Sequence, residues 1–225
     1  MVAQAAARCV RWTAAPPAPR RNDLRRASRC SASSNAEPMV TRDEIAAAAK
    51  RRGLTLDTKT FGPFFKITAR RVPTRAGEPV GDADVDVIGE HDGFIAPPPF
   101  GILHMDSMRI YNSRVRGDDE RRKMRSVFGI SILLGATSAL MAHESGCEKV
   151  ELLAIDDGNE YAQKLVNYYT RLGFEAVRVV GEGASTDLAD MLVWGGAGTR
   201  MNGNLPELLR KWGAVVRRQA TRDDA

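Results

Sequence analysis

Apolar and polar positions along the 225-residue chain change period several times, and each change marks an element. Thr41-Arg42-Asp43-Glu44 has the spacing of a capping box, and IAAAAKRR after it is strongly helix-forming, with Gly53 as the stop. The period then shortens to two. FFKITARRV (64–72) and ADVDVIGEHDGFI (83–95) read as strands, the second with Ala83, Val85 and Val87 on one face and Asp82, Asp84 and Asp86 on the other. ILHMDSMRIY (102–111) is a third strand, set off by Pro97-Pro98-Pro99. Gly117-Asp118-Asp119-Glu120 opens a long helix to about Ser145, with acids in the first turn where the dipole favours them.

KVELLAI (149–155) reads as a strand covered on both faces, Asn159 to Leu172 as a helix, and FEAVRVV (174–180) and DMLVW (190–194) as the last strands. Gly195-Gly196-Ala197-Gly198 reads as a loop, with a tight exit from the sheet the favoured reading and a ligand contact by Arg200 the alternative. Asn204-Leu205-Pro206-Glu207 caps a final helix whose Leu205, Leu208, Leu209, Trp212, Val215 and Val216 form one apolar stripe. Three meander strands followed by a βαβ-like unit predict a mixed α/β fold: a mostly antiparallel sheet flanked by helices.

Composition removes the first 38 residues from that fold. They hold seven arginines, two acids and an Ala/Pro/Ser-rich background, the make-up of an organelle transit peptide, disordered and outside the folded part. The alanine-rich leader with its Arg-Cys-Ser-Ala end points to the plastid stroma, with the mitochondrial matrix as the alternative. Of 33 basic and 28 acidic residues in all, 26 of each then remain from Met39 onward, so the basic excess belongs to the leader and no nucleic-acid partner is expected. Cys147 is the one cysteine outside the leader, which excludes a disulfide framework. Val127 to Ala142 is too short and too diluted by Gly, Ser and Thr to span a bilayer, and reads as a buried helix. No metal site is expected: Val87 stands where a calcium loop after Asp82-x-Asp84-x-Asp86 needs Gly, and His91 and His143 lack partners at ligand spacing.

KLVNYYTRLGFE (164–175) turns a helix into a strand and places two of the chain's four tyrosines side by side. Together with KVELLAI before it and FEAVRVV after it, this turn resembles the C-terminal half of the GNAT superfamily of acyl-CoA N-acyltransferases, with its Tyr-x-x-Leu-Gly-Phe signature. The resemblance implies a domain over 39–203 followed by a C-terminal helix and tail over 204–225, and a sheet splayed between the strands at 102–111 and 149–155. It implies transfer of an acetyl or related acyl group from acyl-CoA, a co-substrate, to an amine on a small molecule or protein, by a monomer or homodimer. Tyr169 then stands where the leaving thiolate is stabilised or protonated; a packing role is the other reading of Tyr169 and the favoured one for Tyr168. His104 or Asp106, on the strand bordering the acyl group, is a candidate base, a hydrogen-bonded strand pair being the alternative. The superfamily holds the CoA pyrophosphate on a Gln/Arg-x-x-Gly-x-Gly/Ala loop at a helix N-terminus. Two placements exist: Arg125-Ser126-Val127-Phe128-Gly129-Ile130, and Arg114-Val115-Arg116-Gly117-Asp118-Asp119. Phe128 and Ile130 in the first, and Asp119 in the second, stand where small residues belong, so a non-catalytic binding or regulatory protein that has lost CoA is the rival function.

Overall fold

A computed structural model describes residues 37–72, 87–115, 120–155, 161–181, 194 and 196–221, all within one compact unit, Glu37–Ala225. Its centre is a seven-stranded sheet in the order β1-β2-β3-β4-β5-β7-β6. β1 (Leu54–Phe61), β2 (Phe64–Arg71), β3 (Val87–Ala96) and β4 (Ile102–Ile110) form an antiparallel meander. β5 (Lys149–Ile155) joins β4 in parallel, and β7 (Gly198–Asn204) inserts antiparallel between β5 and β6 (Glu175–Val180). The mixed, mostly antiparallel α/β sheet is therefore present.

Two strands differ from the sequence reading. β1 was not expected, although Leu54 and Leu56 alternate with Thr55 and Asp57 ahead of a Gly62 turn at φ 57°. The last strand is Gly198–Asn204, where a loop was expected. Of DMLVW only Trp194 lies among the described residues, and it is helical. Gly198 explains the misreading: a Cβ there would collide with the backbone of Ala154 on β5, so glycine marks close strand approach rather than a loop. β5 is also not sealed on both faces. Val150, Leu152 and Ala154 are buried, while Glu151 and Leu153 alternate with them at partial exposure.

Four α-helices are present among the described residues: α1 (Arg42–Arg51), α2 (Glu120–Glu144), α3 (Tyr161–Leu172) and α4 (Leu205–Thr221). Thr41 caps α1 as its spacing predicts, accepting from the Glu44 amide at 3.2 Å while Glu44 accepts from the Thr41 amide at 2.8 Å. Asn204 caps α4 through the Glu207 amide at 3.0 Å. All four pack on one face of the sheet. Ile130 and Leu134 of α2 lie against Gly89 of β3, and Trp212 of α4 packs on Gly135 and donates its indole N–H to Leu172 O at 3.0 Å. α1 contacts α2, α4 and β1. Ser126–Glu144 of α2 is long and apolar enough to cross a membrane by length and composition, a correction to the shorter span read from the sequence, and 61% of that span is buried inside the protein.

The opposite face of the sheet is polar and aromatic. Lys66 pairs with Glu90 at 2.6 Å, Tyr111 donates to Glu90 at 2.7 Å, and Ser107 donates to Asp92 at 2.9 Å.

Candidate functional site

β4 and β5 pair only through Ile102–Met105 and Lys149–Leu152. Beyond Met105 and Leu152 they separate, so among the described residues the backbone groups of Ser107–Ile110 that do not pair with β3 and those of Leu153–Ile155 that do not pair with β7 face a wedge. Buried backbone groups demand partners, and such an edge suits an extended, amide-bearing chain lying as a pseudo-strand. The mouth of the wedge coincides with a β-bulge. Asp92 pairs with Ser107 and Gly93 with Met105, which leaves Asp106 as the extra residue and turns its side chain outward to solvent.

On the helix side of the mouth stand Met105, Leu152, Tyr168, Tyr169 and Phe174 around a cavity of about 20 Å³. α3 carries both tyrosines, but the roughly 100° between adjacent helix residues gives them different surroundings. Tyr168 Oη lies 2.8 Å from Ser131 Oγ on α2, and its ring meets Phe128 edge-on at 6.1 Å. Tyr169 packs between Tyr168 and Phe174, at 5.4 and 5.8 Å. Burial first, and then the neighbouring Tyr168, pushes the Tyr169 hydroxyl up to about 12. It stays protonated at neutral pH and acts as a hydrogen-bond donor more readily than as a proton donor. Gly173, at φ 113°, and Phe174 end α3 with amides bonded back to Tyr169 O at 3.1 and 3.0 Å.

On the outer side of the mouth, His104 of β4 lies directly opposite Glu151 of β5. The imidazole is 1% exposed, sandwiched between Phe94 at 4.5 Å and Trp194 at 4.0 Å, with Nδ1 3.0 Å from Glu151 Oε1. Arg200 of β7 donates to the other oxygen, Oε2, at 2.6 Å. Burial pushes the Glu151 carboxyl up, but the hydrogen bond from His104 and the charge and hydrogen bond of Arg200 outweigh it, and the group sits below the usual carboxylate range. A cavity of about 320 Å³ adjoins this network, lined by Phe64, Asp92, Phe94, His104 and Asp106. His104 and Asp106, both singled out in the sequence, thus share one cleft. Glu151 had no sequence signal, and Arg200, read from the sequence as available to a ligand, is bound to Glu151; only strand pairing brings the two together.

The donor residues fare differently. Arg125, Ser126 and Gly129 lie inside α2, which runs from Glu120 to Glu144 as one helix about 37 Å long. Amides in a helix interior are already bonded, so the phosphate loop placed at Arg125–Ile130 is corrected: no cradle forms there. Gly129 is moreover covered by the Arg52 guanidinium, itself held by Gln219 at 3.1 Å. Arg114 lies in a short 3₁₀ turn and is spent on structure, donating to Val87 O at 2.9 Å and stacking over Tyr111 at 4.8 Å. Gly117 lies outside the described residues. The described residues of the two placements do not form the expected pyrophosphate loop.

The chain was compared with solved structures. Nourseothricin acetyltransferase is 13% identical, with 75% of this chain and 96% of that one aligned at a TM-score of 0.41. An acetyltransferase of the GNAT family from Staphylococcus aureus MU50 is 12% identical, with 63% and 68% aligned at 0.36. Aminoglycoside 6'-acetyltransferase type Ii is 13% identical, with 62% and 69% aligned at 0.34. All three are acetyltransferases. No family model and no curated protein matches the chain.

Proposed function

We propose that this chain is a GNAT-like N-acyltransferase that moves an acetyl or related acyl group from an acyl-CoA to an amine. The observation that carries the reading is the wedge between β4 and β5, opening at the Asp106 bulge with a neutral tyrosine on one side and an imidazole–carboxylate pair on the other. Acyl transfer to an amine needs both functions, a donor toward the departing sulfur and an acceptor for a proton from nitrogen. The exposed backbone groups of β4 past Met105 are positioned to hold the thioester carbonyl. Tyr169 serves the sulfur, and His104 with Asp106 faces the amine.

A second reading has its own support: α2 is unbroken through Arg125–Ile130, and the contact between Tyr168 and Ser131 bridges α2 to α3 over the small cavity. On that reading the domain keeps the fold as a binding or regulatory module without CoA. Calorimetric titration of the full chain with acetyl-CoA separates the two. Heat and a raised Tm at about millimolar donor support the acyltransferase, since even weak saturation stabilises by mass action; no heat and no shift sink it. We further propose plastid localisation, supported by the Arg-, Ala- and Ser-rich leader; a fluorescent fusion of residues 1–38 that stays in the cytosol overturns it.

A further inference from the structure

We infer that Glu151 and Arg200 are positioning residues that fix the tautomer of His104 so that its Nε2 is the ring nitrogen serving an organic ammonium in the Phe64–Phe94–Asp92–Asp106 cleft. The second half of this inference rests on the acyltransferase reading, and the first half stands without it. A carboxylate only accepts hydrogen bonds, so the 3.0 Å contact to Glu151 Oε1 places the proton of a neutral His104 on Nδ1. Nε2 is left with a bare lone pair and has no hydrogen-bond partner among the described residues. Phe94 and Trp194 cover both ring faces and prevent the imidazole from turning over. Arg200 keeps the carboxylate where it must be. Its Nη2 binds Oε2 at 2.6 Å, and its Nε is buried without a partner, so the guanidinium makes this ion pair its polar anchor.

The cleft beside this nitrogen has the chemistry of a cation site. Asp92 and Asp106 supply negative charge, and Phe64 and Phe94, which meet edge-on at 6.1 Å, add aromatic rings to the lining. About 320 Å³ accommodates a small alkyl or aryl ammonium. His104 stands one strand residue, roughly 3.3 Å of rise, before the last β4–β5 pair, so an ammonium held here abuts the mouth of the wedge. In the step, R–NH₃⁺ gives one proton to Nε2, and the N–H bonding pair remains on the amine as its lone pair. The ring becomes imidazolium against the Glu151 carboxylate. The lone pair then forms the bond to the thioester carbon, the C–S bond breaks with its pair on sulfur, the remaining proton lost from nitrogen goes to the sulfur, and His104 returns its proton to water.

The test uses the full chain labelled with ¹⁵N-histidine, in which only three histidines contribute and His104→Gln assigns one of them. For the neutral imidazole of His104 we expect Nδ1–H with unprotonated Nε2, a mixed tautomer in Glu151→Ala, and the wild-type tautomer again in Glu151→Gln, whose amide oxygen still accepts. Titration with n-butylammonium chloride should move the Nε2 resonance. With acetyl-CoA and n-butylamine, kcat should fall about 100-fold in Glu151→Ala and roughly 10-fold in Glu151→Gln with KM for acetyl-CoA unchanged. An Nε2–H tautomer in the wild type, or an unchanged tautomer in Glu151→Ala, overturns the positioning role. No response of Nε2 to butylammonium overturns the cleft. The expected tautomers and butylammonium shift in a chain without turnover support the positioned site and sink the acyltransferase reading instead.

Discussion

Met105 and His104 are neighbours on one strand, yet they belong to two different kinds of interior. Met105 looks into the helix-covered face, where Leu152, Phe174 and Trp212 pack around it and most polar atoms have been excluded. A polar group admitted on that side, His91, is fully buried with Nδ1 2.8 Å from Ser107 O and Nε2 3.0 Å from Ser138 Oγ; burial pushes its pKa down. His104 looks the other way and is equally buried, but among a carboxylate, a guanidinium and two aromatic faces. Burial alone therefore does not distinguish core from site. On the first face, burial is by apolar contact and determines stability; on the second, it raises the strength of charge interactions around one imidazole.

The comparison breaks most sharply at Trp212. Trp212→Ala should cost about 3–5 kcal/mol, measured by urea denaturation, because a large side chain and the hydrogen bond to Leu172 O are lost together. A loss no larger than that of an exposed substitution would mean that α4 does not hold the helix face together. Next comes Tyr169, on the helix-covered face. Its folded-state pKa of about 12 lies above the unfolded value of roughly 10, so the protonated hydroxyl is favoured by folding. That contribution is fully present below pH ~10 and is lost as the pH rises through about 12, on the order of 2 kcal/mol. Tyr169→Phe should flatten this part of the stability–pH curve while changing neutral-pH stability by within about 0.5 kcal/mol; an unaltered curve means the hydroxyl is not the titrating group. Smaller than the alkaline loss at Tyr169 is the effect of Tyr168→Phe, which removes the 2.8 Å contact to Ser131 at about 1 kcal/mol. Should that contact close the donor's path, the variant binds acetyl-CoA more tightly; a weaker affinity makes Tyr168 part of the donor site.

Much of the fold was legible because local rules produced it. The Thr41 capping box, the Gly173 stop and the amphipathic stripe of α4 are each set by residues within a few positions of one another. β1 was legible but overlooked, its alternation diluted by threonines. β7 was not, because Gly198 is glycine on account of Ala154, a residue more than forty positions away. The site divides in the same way. Tyr169, His104 and Asp106 were visible from a turn motif and from strand alternation. The failure of Arg125–Gly129 as a phosphate loop turned on whether α2 breaks there, and its residues alone are compatible with either outcome.

The sequence by itself determined most of the helices and strands, β1 and β7 excepted, where α1, α3 and α4 start or stop, and that the basic excess resides in the first 38 residues. These follow from propensity, periodicity and composition, which act over a turn or a strand. Only the tertiary structure decided that β4 and β5 part after Met105, that Asp106 is the bulge, and that His104, Glu151 and Arg200 meet from three strands. Those outcomes depend on register and on packing between segments distant in the chain, and no local rule encodes the competition among the alternatives.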